Sequence, residues 1–335
     1  MAMSSVSPPP RASRTLTPHG RTRDLLLIGG LVVLVLAGLI GLAVATGWED
    51  TMAALKSLSF IEIAALLALS LVNYGLRGLR WHLFANRLGL PTHLTQNMRH
   101  FLGGFAMSVT PGRIGELVRM RWLQRETAWP FDRTAPLVLV DRASDLAAMA
   151  ILLALALAFS TTGVVGGAPV VVLALIAAFI ATRPRLMRAA GDTVHIASAR
   201  RFPRLFARVR RAAKSLSAFQ GPTVLLAAGA LGVIGWLAEG WAFHLLLTWM
   251  GADIGFWTAV GIFVFATLAG GFTGAPGGLG GAEAAMVALL VGSGTPIEIA
   301  LPATLIIRLT TLWFAIAIGL LVFPLAERHS KMSMP

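Results

Sequence analysis

Long apolar runs separated by short charged segments form the dominant pattern of this chain. A helix needs about 20 mainly apolar residues to cross the hydrocarbon core of a bilayer. The runs therefore predict an all-α polytopic membrane protein with about six full transmembrane helices. These predicted spans are Leu25–Thr46, Phe60–Arg87, Thr134–Ser160, a segment from near Val164 to Thr182, Thr223–Met250 and Pro302–Phe323.

Two further apolar stretches are interrupted by proline and glycine: LGGFAMSVTPGRIGELVR at 102–119 and LAGGFTGAPGGLGGAEAAMVALL at 268–290. Proline removes a backbone donor and clashes with the preceding turn, so we expect one helix to end at each break and another to begin after it. We interpret both stretches as re-entrant helical hairpins, although a full double crossing has the same parity. The breaks contain Pro111, Gly112, Pro276, Gly277 and Gly280.

The order of the parts repeats in the two halves of the chain. In each half, a span that contains polar residues is followed by a broken hairpin and then by a span with a buried arginine. Arg142 follows Pro111 by 31 residues, and Arg308 follows Pro276 by 32. Because the two sets run in opposite directions, they predict an inverted repeat of the kind found in secondary transporters. We divide the chain into a disordered basic tail (1–23), one membrane domain (24–325) with repeats near 60–160 and 222–325, a basic linker within it (183–220) and a C-terminal tail (326–335).

Composition agrees with a membrane protein and excludes several kinds of site. The chain is 56% hydrophobic and 13% charged, which is too apolar for a soluble globule. The absence of cysteine excludes disulfides, thiolate metal sites and cysteine nucleophiles. The net charge of +13 comes from basic segments between spans, which the positive-inside rule explains without nucleic-acid binding. The same rule places both termini in the cytoplasm with the linker 183–220, in which 202–216 predicts an amphipathic surface helix.

Charged residues inside the spans and near the breaks are candidates for a binding site. Arg142 and Arg308, beside the two breaks, would form a cationic pocket lined by glycine backbone. Such a pocket suits phosphate, which guanidinium binds bidentately. The carboxylates of this region would supply counter-charge or bind a coupling proton, and they are Glu116, Asp145, Glu239 and Glu283. The sequence predicts no metal site and no cofactor.

Each of these signals also has a structural interpretation. Arg77 and Arg80 lie near the end of the second span, from which arginine side chains snorkel to the interface. Arg142 and Asp145 are three residues apart and would form a local ion pair on one helix. The glycines around Gly277 would then serve only close helix packing.

An enzyme is the less supported interpretation. The sequence lacks a Walker loop, a GxSxG elbow, an HExxH motif and a DxD cluster, and its seven histidines do not lie at metal-ligand spacing. One catalytic alternative is a transferase that uses Asp141, Arg142, Asp145 and Glu283 on a polyprenyl-phosphate substrate. Another alternative is a non-catalytic membrane partner of a separate lipid- or glycan-modifying enzyme.

Four segments resemble a known family: LRGLRW at 76–81, TPGRIGELVR at 110–119, DRASDL at 141–146, and APGGLGGAEAA at 275–285 followed by Arg308. Across residues 25–325 the chain is similar to the membrane domain of lysylphosphatidylglycerol synthases and their stand-alone flippase-like relatives. The resemblance implies a bacterial inner-membrane protein that carries or flips a lipid with a phosphate-containing head group. On matching positions it points to Arg77, Arg80, Pro111, Gly112, Glu116, Arg119, Arg142, Pro276, Gly277, Gly280, Glu283 and Arg308.

The resemblance also sets expectations about activity. The sequence ends at Pro335, so we expect a stand-alone membrane domain without the soluble aminoacyl-transferase domain and without lysylphosphatidylglycerol synthesis. We expect a translocase that moves a phosphate-bearing anionic or zwitterionic lipid between leaflets, with membrane lipids as its partners. The lipid, the direction of transport and any coupling ion stay open. The arginines expected to bind the head group are Arg77, Arg80, Arg119, Arg142 and Arg308.

Overall fold

The computed structural model describes residues 48–110, 117–160, 167–183, 185–186, 189, 216–219 and 221–332. Within these ranges the ordered elements are helices, and no strand occurs. The α-helices are α1 (Trp48–Ser57), α2 (Phe60–Arg87), α3 (Leu94–Gly104), α4 (Val118–Thr127), α5 (Phe131–Phe159), α6 (Gly167–Thr182), α7 (Pro222–Trp249), α8 (Phe256–Phe272), α9 (Gly281–Gly292), α10 (Ile297–Arg308) and α11 (Phe314–Met332).

Several predicted features lie outside the described residues. They are the tail 1–23, the first predicted span Leu25–Thr46, the first break with Pro111, Gly112 and Glu116, and nearly all of the linker 183–220 with its amphipathic segment.

Four helices in the described part are long and apolar enough to cross a membrane: Phe60–Arg87, Arg133–Phe159, Pro222–Trp249 and Ile297–Met332. They correspond to four of the predicted spans. The segment predicted to end at Thr182 forms α6, which has 16 residues and is shorter than the others. The prediction of an all-helical membrane protein is therefore confirmed, because the described elements are helices and four of them are long and apolar enough to span a bilayer.

The last span differs from its predicted bounds at both ends. It begins at Ile297, so Pro302 lies inside the helix and does not start it. The helix tolerates this proline because the one backbone hydrogen bond that it removes is to Glu298, in the exposed first turn. It continues through a π-helical segment at Leu309–Trp313 and ends at Met332. The expected tail at 326–335 is thus helical as far as Met332.

Contacts with α4 explain why the end of α11 is helical. The Glu327 carboxylate accepts a hydrogen bond of 2.7 Å from the indole Nε1 of Trp122, and it lies 2.7 Å from Arg125 Nη1. Both partners belong to α4. These bonds fix the segment after 326 against α4.

The second break is confirmed where the sequence predicts it. Helix α8 ends at Phe272, α9 begins at Gly281, and a 3₁₀ turn at Pro276–Gly278 lies between them. Gly277 and Gly280 adopt φ values of 62° and 81°, in the region that favours glycine over other residues. Glycine is therefore required here by the backbone.

Corresponding elements of the two halves pack against each other. Helix α2 lies along α7, α3 packs against α11, and α8 packs against α5. The 3₁₀ turns at Phe105–Val109 and Pro276–Gly278 also contact each other. The 3₁₀ turn that precedes the first predicted break therefore lies against the second break.

Candidate functional site

Two helices of the first half bring five charged residues together inside the bundle. Residues three or four apart lie on one helix face, so α2 presents Arg77 and Arg80, and α5 presents Asp141 and Asp145, with Arg142 at its edge. We call this set the aspartate cluster. It joins α2 to α5 by side-chain bonds.

Arg77 and Arg80 are held by short bonds. Arg77 donates from Nε and Nη2 to the two carboxylate oxygens of Asp145, at 3.1 and 2.7 Å. Arg80 Nη2 lies 2.7 Å from Asp141 Oδ1 and 2.6 Å from Asp145 Oδ1. Both arginines are buried, and the side chain of Arg80 is 0% exposed. The snorkelling interpretation is therefore wrong for this pair, because neither guanidinium extends to a surface.

Trp236 of α7 completes the cluster, and sequence reasoning missed it. Its indole Nε1 donates to Asp145 Oδ1 at 3.2 Å, and the Arg77 guanidinium lies 4.9 Å from its ring centroid. The available signal was its spacing from Glu239, three residues along the same helix face. Trp236 thus connects α7, in the second half of the chain, to α2 and α5, in the first half.

Arg142 differs from the other two arginines of the aspartate cluster. It contacts Asp141 at 3.4 Å and Asp145 at 3.6 Å, so the predicted contact between residues three apart is present but long. Its side chain is 28% exposed. Arg142 is thus the member of the cluster that is most accessible from outside it.

The second half contains a smaller arrangement, which we call the break cluster: Arg308, Glu283 and the backbone of Gly277. Arg308 Nε donates to Glu283 Oε1 at 2.5 Å, and Nη2 donates to the Gly277 carbonyl at 2.9 Å. Glu283 lies in the first turn of α9, where the positive end of the helix dipole favours a carboxylate. Arg308 therefore ties the broken segment and α9 to the last span.

A cavity of about 460 Å³, the main cavity, opens beside the aspartate cluster. Its wall is mostly apolar and includes the charged pair Arg142 and Asp145 together with the region of the second break. This combination of apolar wall and few polar groups is typical of ligand sites. The lining residues are Leu117, Val138, Arg142, Asp145, Leu146, Met149, Trp236, Thr267, Leu268, Gly271, Phe272, Gly274, Ala275 and Gly278.

A second cavity of about 50 Å³, the small chamber, lies next to the main cavity. Trp236 and Thr267 line both spaces and so stand between them. The wall of the chamber is more polar than that of the main cavity. Its polar side chains are Tyr74, Arg77, Ser108, Trp236, Glu239, Thr267, Arg308 and Thr311.

The predicted head-group arginines divide into three groups. Arg142 lines the main cavity, and Arg77 and Arg308 line the small chamber. Arg80 lines neither space. Arg119 also lines neither; its guanidinium lies among aromatic rings, 4.6 Å from the centroid of Phe101, 5.3 Å from Trp81 and 5.8 Å from Phe105.

The predicted carboxylates are also distributed between the two spaces. Asp145 lines the main cavity, Glu239 lines the small chamber, and Glu283 belongs to the break cluster. Across the described residues, no group of three or more histidine, aspartate or glutamate side chains is placed to hold a metal ion.

Comparison with known proteins identifies the family of this chain. Residues 26–319 match the family model described as the lysylphosphatidylglycerol synthase TM region. The chain is also 23% identical over 317 residues to a UPF0104 membrane protein of Methanothermobacter thermautotrophicus, an alignment that covers 88% of this chain and 94% of that protein. The resemblance seen in the sequence motifs is thereby confirmed, and the chain belongs to the lysylphosphatidylglycerol synthase TM region family.

Proposed function

We propose that this protein is a lipid translocase that moves a phosphate-bearing anionic or zwitterionic lipid between leaflets without ATP hydrolysis. The observation that carries the proposal is the wall of the main cavity. There, a partly exposed arginine, Arg142, lies among apolar side chains and beside a helix break. These are the features that a lipid head group and its attached chains require.

Arg142 is the group that would bind the phosphate. A guanidinium offers a planar fork of donors that matches two phosphate oxygens, and it stays charged when partly desolvated. Arg77 and Arg80 bind Asp145 and Asp141 at shorter distances than Arg142 does, so these two arginines neutralise most of the carboxylate charge beside Arg142. In this proposal Arg77 and Arg80 position the site, and Arg142 contacts the head group.

The packing supports the inverted repeat that the sequence predicts. Helix α3 packs against α11 and α8 against α5, and the 3₁₀ turns at Phe105–Val109 and Pro276–Gly278 contact each other. We propose two re-entrant hairpins and about six full spans, with the head-group path between the repeats, as in secondary transporters. The Lys/Arg distribution supports cytoplasmic termini, and the family motifs support a bacterial inner membrane.

Proteoliposomes with fluorescent, NBD-labelled phosphatidylglycerol test the activity. Dithionite bleaches only the outer leaflet of a sealed vesicle, so a translocase makes the inner-leaflet label accessible as well. We expect the purified protein to extend bleaching beyond the outer-leaflet share without any nucleotide. Bleaching that stops at that share for both anionic and zwitterionic probes would overturn the proposal.

A matched pair of variants links the activity to the cavity. Arg142→Gln removes the charged donor and is expected to lower the initial rate about tenfold or more, since hydrogen bonds to charged groups contribute about 1.5–3 kcal/mol. Arg87→Gln is the control, because Arg87 is exposed at the end of α2. Equal rates for the two variants would exclude Arg142 from the path.

A further inference from the structure

The small chamber has a chemistry of its own, distinct from that of the main cavity. It holds two guanidinium groups from opposite halves of the chain, Arg77 and Arg308, together with the carboxylate of Glu239. Glu239 is 4% exposed, and Tyr74 and Ser108 add hydroxyl groups to the wall. This is a polar site lined largely by buried side chains, and Trp236 and Thr267 belong both to its wall and to that of the main cavity.

The size of the chamber limits its occupant. A water molecule needs about 10–15 Å³ of such space, so a chamber of about 50 Å³ holds about three or four waters. The four oxygens of a phosphate group occupy a similar space. The chamber therefore accommodates the phosphate of a lipid, and the groups esterified to that phosphate would lie outside the chamber.

The chamber wall has charges that attract an anion and one charge that repels it. Arg77 and Arg308 offer donors to a phosphate, and each is already bonded to a carboxylate, at 2.7 Å to Asp145 and at 2.5 Å to Glu283. Glu239 would repel the phosphate, because two negative groups that close together disfavour the charged form of one of them. Protonation of Glu239 removes that repulsion and turns its side chain into a hydrogen-bond donor.

We propose that the small chamber is a second binding position for the lipid phosphate, which we call the second station. We further propose that the phosphate enters it only when Glu239 has taken up a proton. This inference rests on the proposed lipid translocase. The phosphate passes from Arg142 to the space between Arg77 and Arg308, and one proton from the aqueous phase forms the O–H bond on Glu239. When the phosphate leaves, Glu239 releases the proton.

The groups around Glu239 are compatible with this exchange. From α2 the chamber receives Tyr74 and Arg77, and from the last span it receives Arg308. Asp145 of α5 and Glu283 of α9 lie behind these two arginines and are bonded to them. Helix α8 has no titratable side chain, and the other titratable residue of α7, His244, does not line the chamber.

Proton uptake during binding tests the inference without requiring transport. Dihexanoyl phosphatidylglycerol is added to the full-length protein in detergent, in weakly buffered solution with a pH indicator dye. We expect the wild type to take up about one proton per lipid bound. Glu239→Gln, a neutral variant of the same shape, should bind the lipid and take up none, whereas Glu298→Gln on the exposed first turn of α10 should behave as the wild type.

A second variant tests the role of the arginine without leaving a buried charge behind. Glu283→Gln combined with Arg308→Gln removes the pair together, and its melting temperature in detergent shows whether it is folded. A folded double variant should still bind the lipid at Arg142 but should lose proton uptake. Retention of uptake in this variant would overturn the second station.

The outcomes separate this inference from the proposed function. Lipid binding by the wild type without proton uptake overturns the second station but leaves the translocase intact. Proton uptake that depends on Glu239, combined with no translocation in proteoliposomes, supports the station and overturns the translocase. If both hold, the translocation rate should rise as pH falls in the wild type and become independent of pH in Glu239→Gln.

Discussion

The aspartate cluster and the break cluster both place arginine beside carboxylate, but they differ in how many partners each group has. In the aspartate cluster, Asp145 is contacted by three arginines and Asp141 by two. In the break cluster, the bonds run from Arg308 to Glu283 and to one backbone carbonyl. A network shared among several charges can lose one member and redistribute its bonds, whereas a single pair cannot.

The difference also separates two roles. The break cluster fixes backbone, because Arg308 holds the Gly277 carbonyl in the short 3₁₀ turn between α8 and α9. The aspartate cluster fixes side chains and presents Arg142 to the main cavity. We therefore expect the break cluster to dominate stability and Arg142 to dominate ligand binding.

The largest effect is expected from Glu283→Gln. It leaves the Arg308 guanidinium buried without its carboxylate, and breaking a buried ion pair in this way costs about 3–5 kcal/mol of the free energy of unfolding. Asp141→Asn is the matched change in the aspartate cluster. It should cost less, about 1–3 kcal/mol, because Arg80 keeps its 2.6 Å contact with Asp145. SDS titration in mixed micelles measures both values.

The double variant Glu283→Gln with Arg308→Gln completes this cycle. Removal of both charges should restore much of the stability that Glu283→Gln loses. Equal losses for Glu283→Gln and Asp141→Asn would contradict the distinction between a single pair and a shared network.

A smaller effect is expected from Gly277→Ala. Gly277 has a φ of 62°, and an added Cβ would lie 3.2 Å from Leu312 Cδ2. A left-handed conformation costs a residue other than glycine about 1–2 kcal/mol. Gly271→Ala in the same hairpin is the control, since an added Cβ there meets no atom within 4 Å. The same SDS titration should show a loss for Gly277→Ala alone.

The smallest effect on stability is expected from Arg142→Gln. Its contacts with the aspartates are 3.4 and 3.6 Å long and its side chain is 28% exposed, so the loss should be about 0–1 kcal/mol. A melting temperature close to that of the wild type would show that lost translocation in this variant is a binding defect. A loss of unfolding free energy as large as that of Glu283→Gln would instead show that Arg142 is required for stability.

Local patterns predicted much of the fold. The second span was predicted at the bounds that α2 has, because its apolar run ends at a basic segment, and in the structure Ser59 caps its start. The break at Pro276–Gly278 was also predicted, since proline and glycine act on their own backbone. The end of the last span was not, because residues after 326 are helical through bonds to α4, which is distant in sequence.

The site was predictable only in its residue types. The spacing of Arg77 and Arg80, and of Asp141 and Asp145, indicated two charged helix faces. That these faces meet depends on how α2 packs against α5, and no short pattern encodes that packing. The same is true of Trp236, whose indole reaches Asp145 from a third helix.

The central claim is that lipid head groups enter the main cavity, and the absence of cysteine allows a direct measurement. Met149→Cys places a thiol on the cavity wall, and Met286→Cys places one in the same apolar core away from that wall. Each variant is reconstituted with a phospholipid that carries a maleimide on its head group. The account predicts rapid labelling of Met149→Cys, slowed by added phosphatidylglycerol, and little labelling of Met286→Cys. Labelling of Met149→Cys no faster than that of Met286→Cys would contradict it.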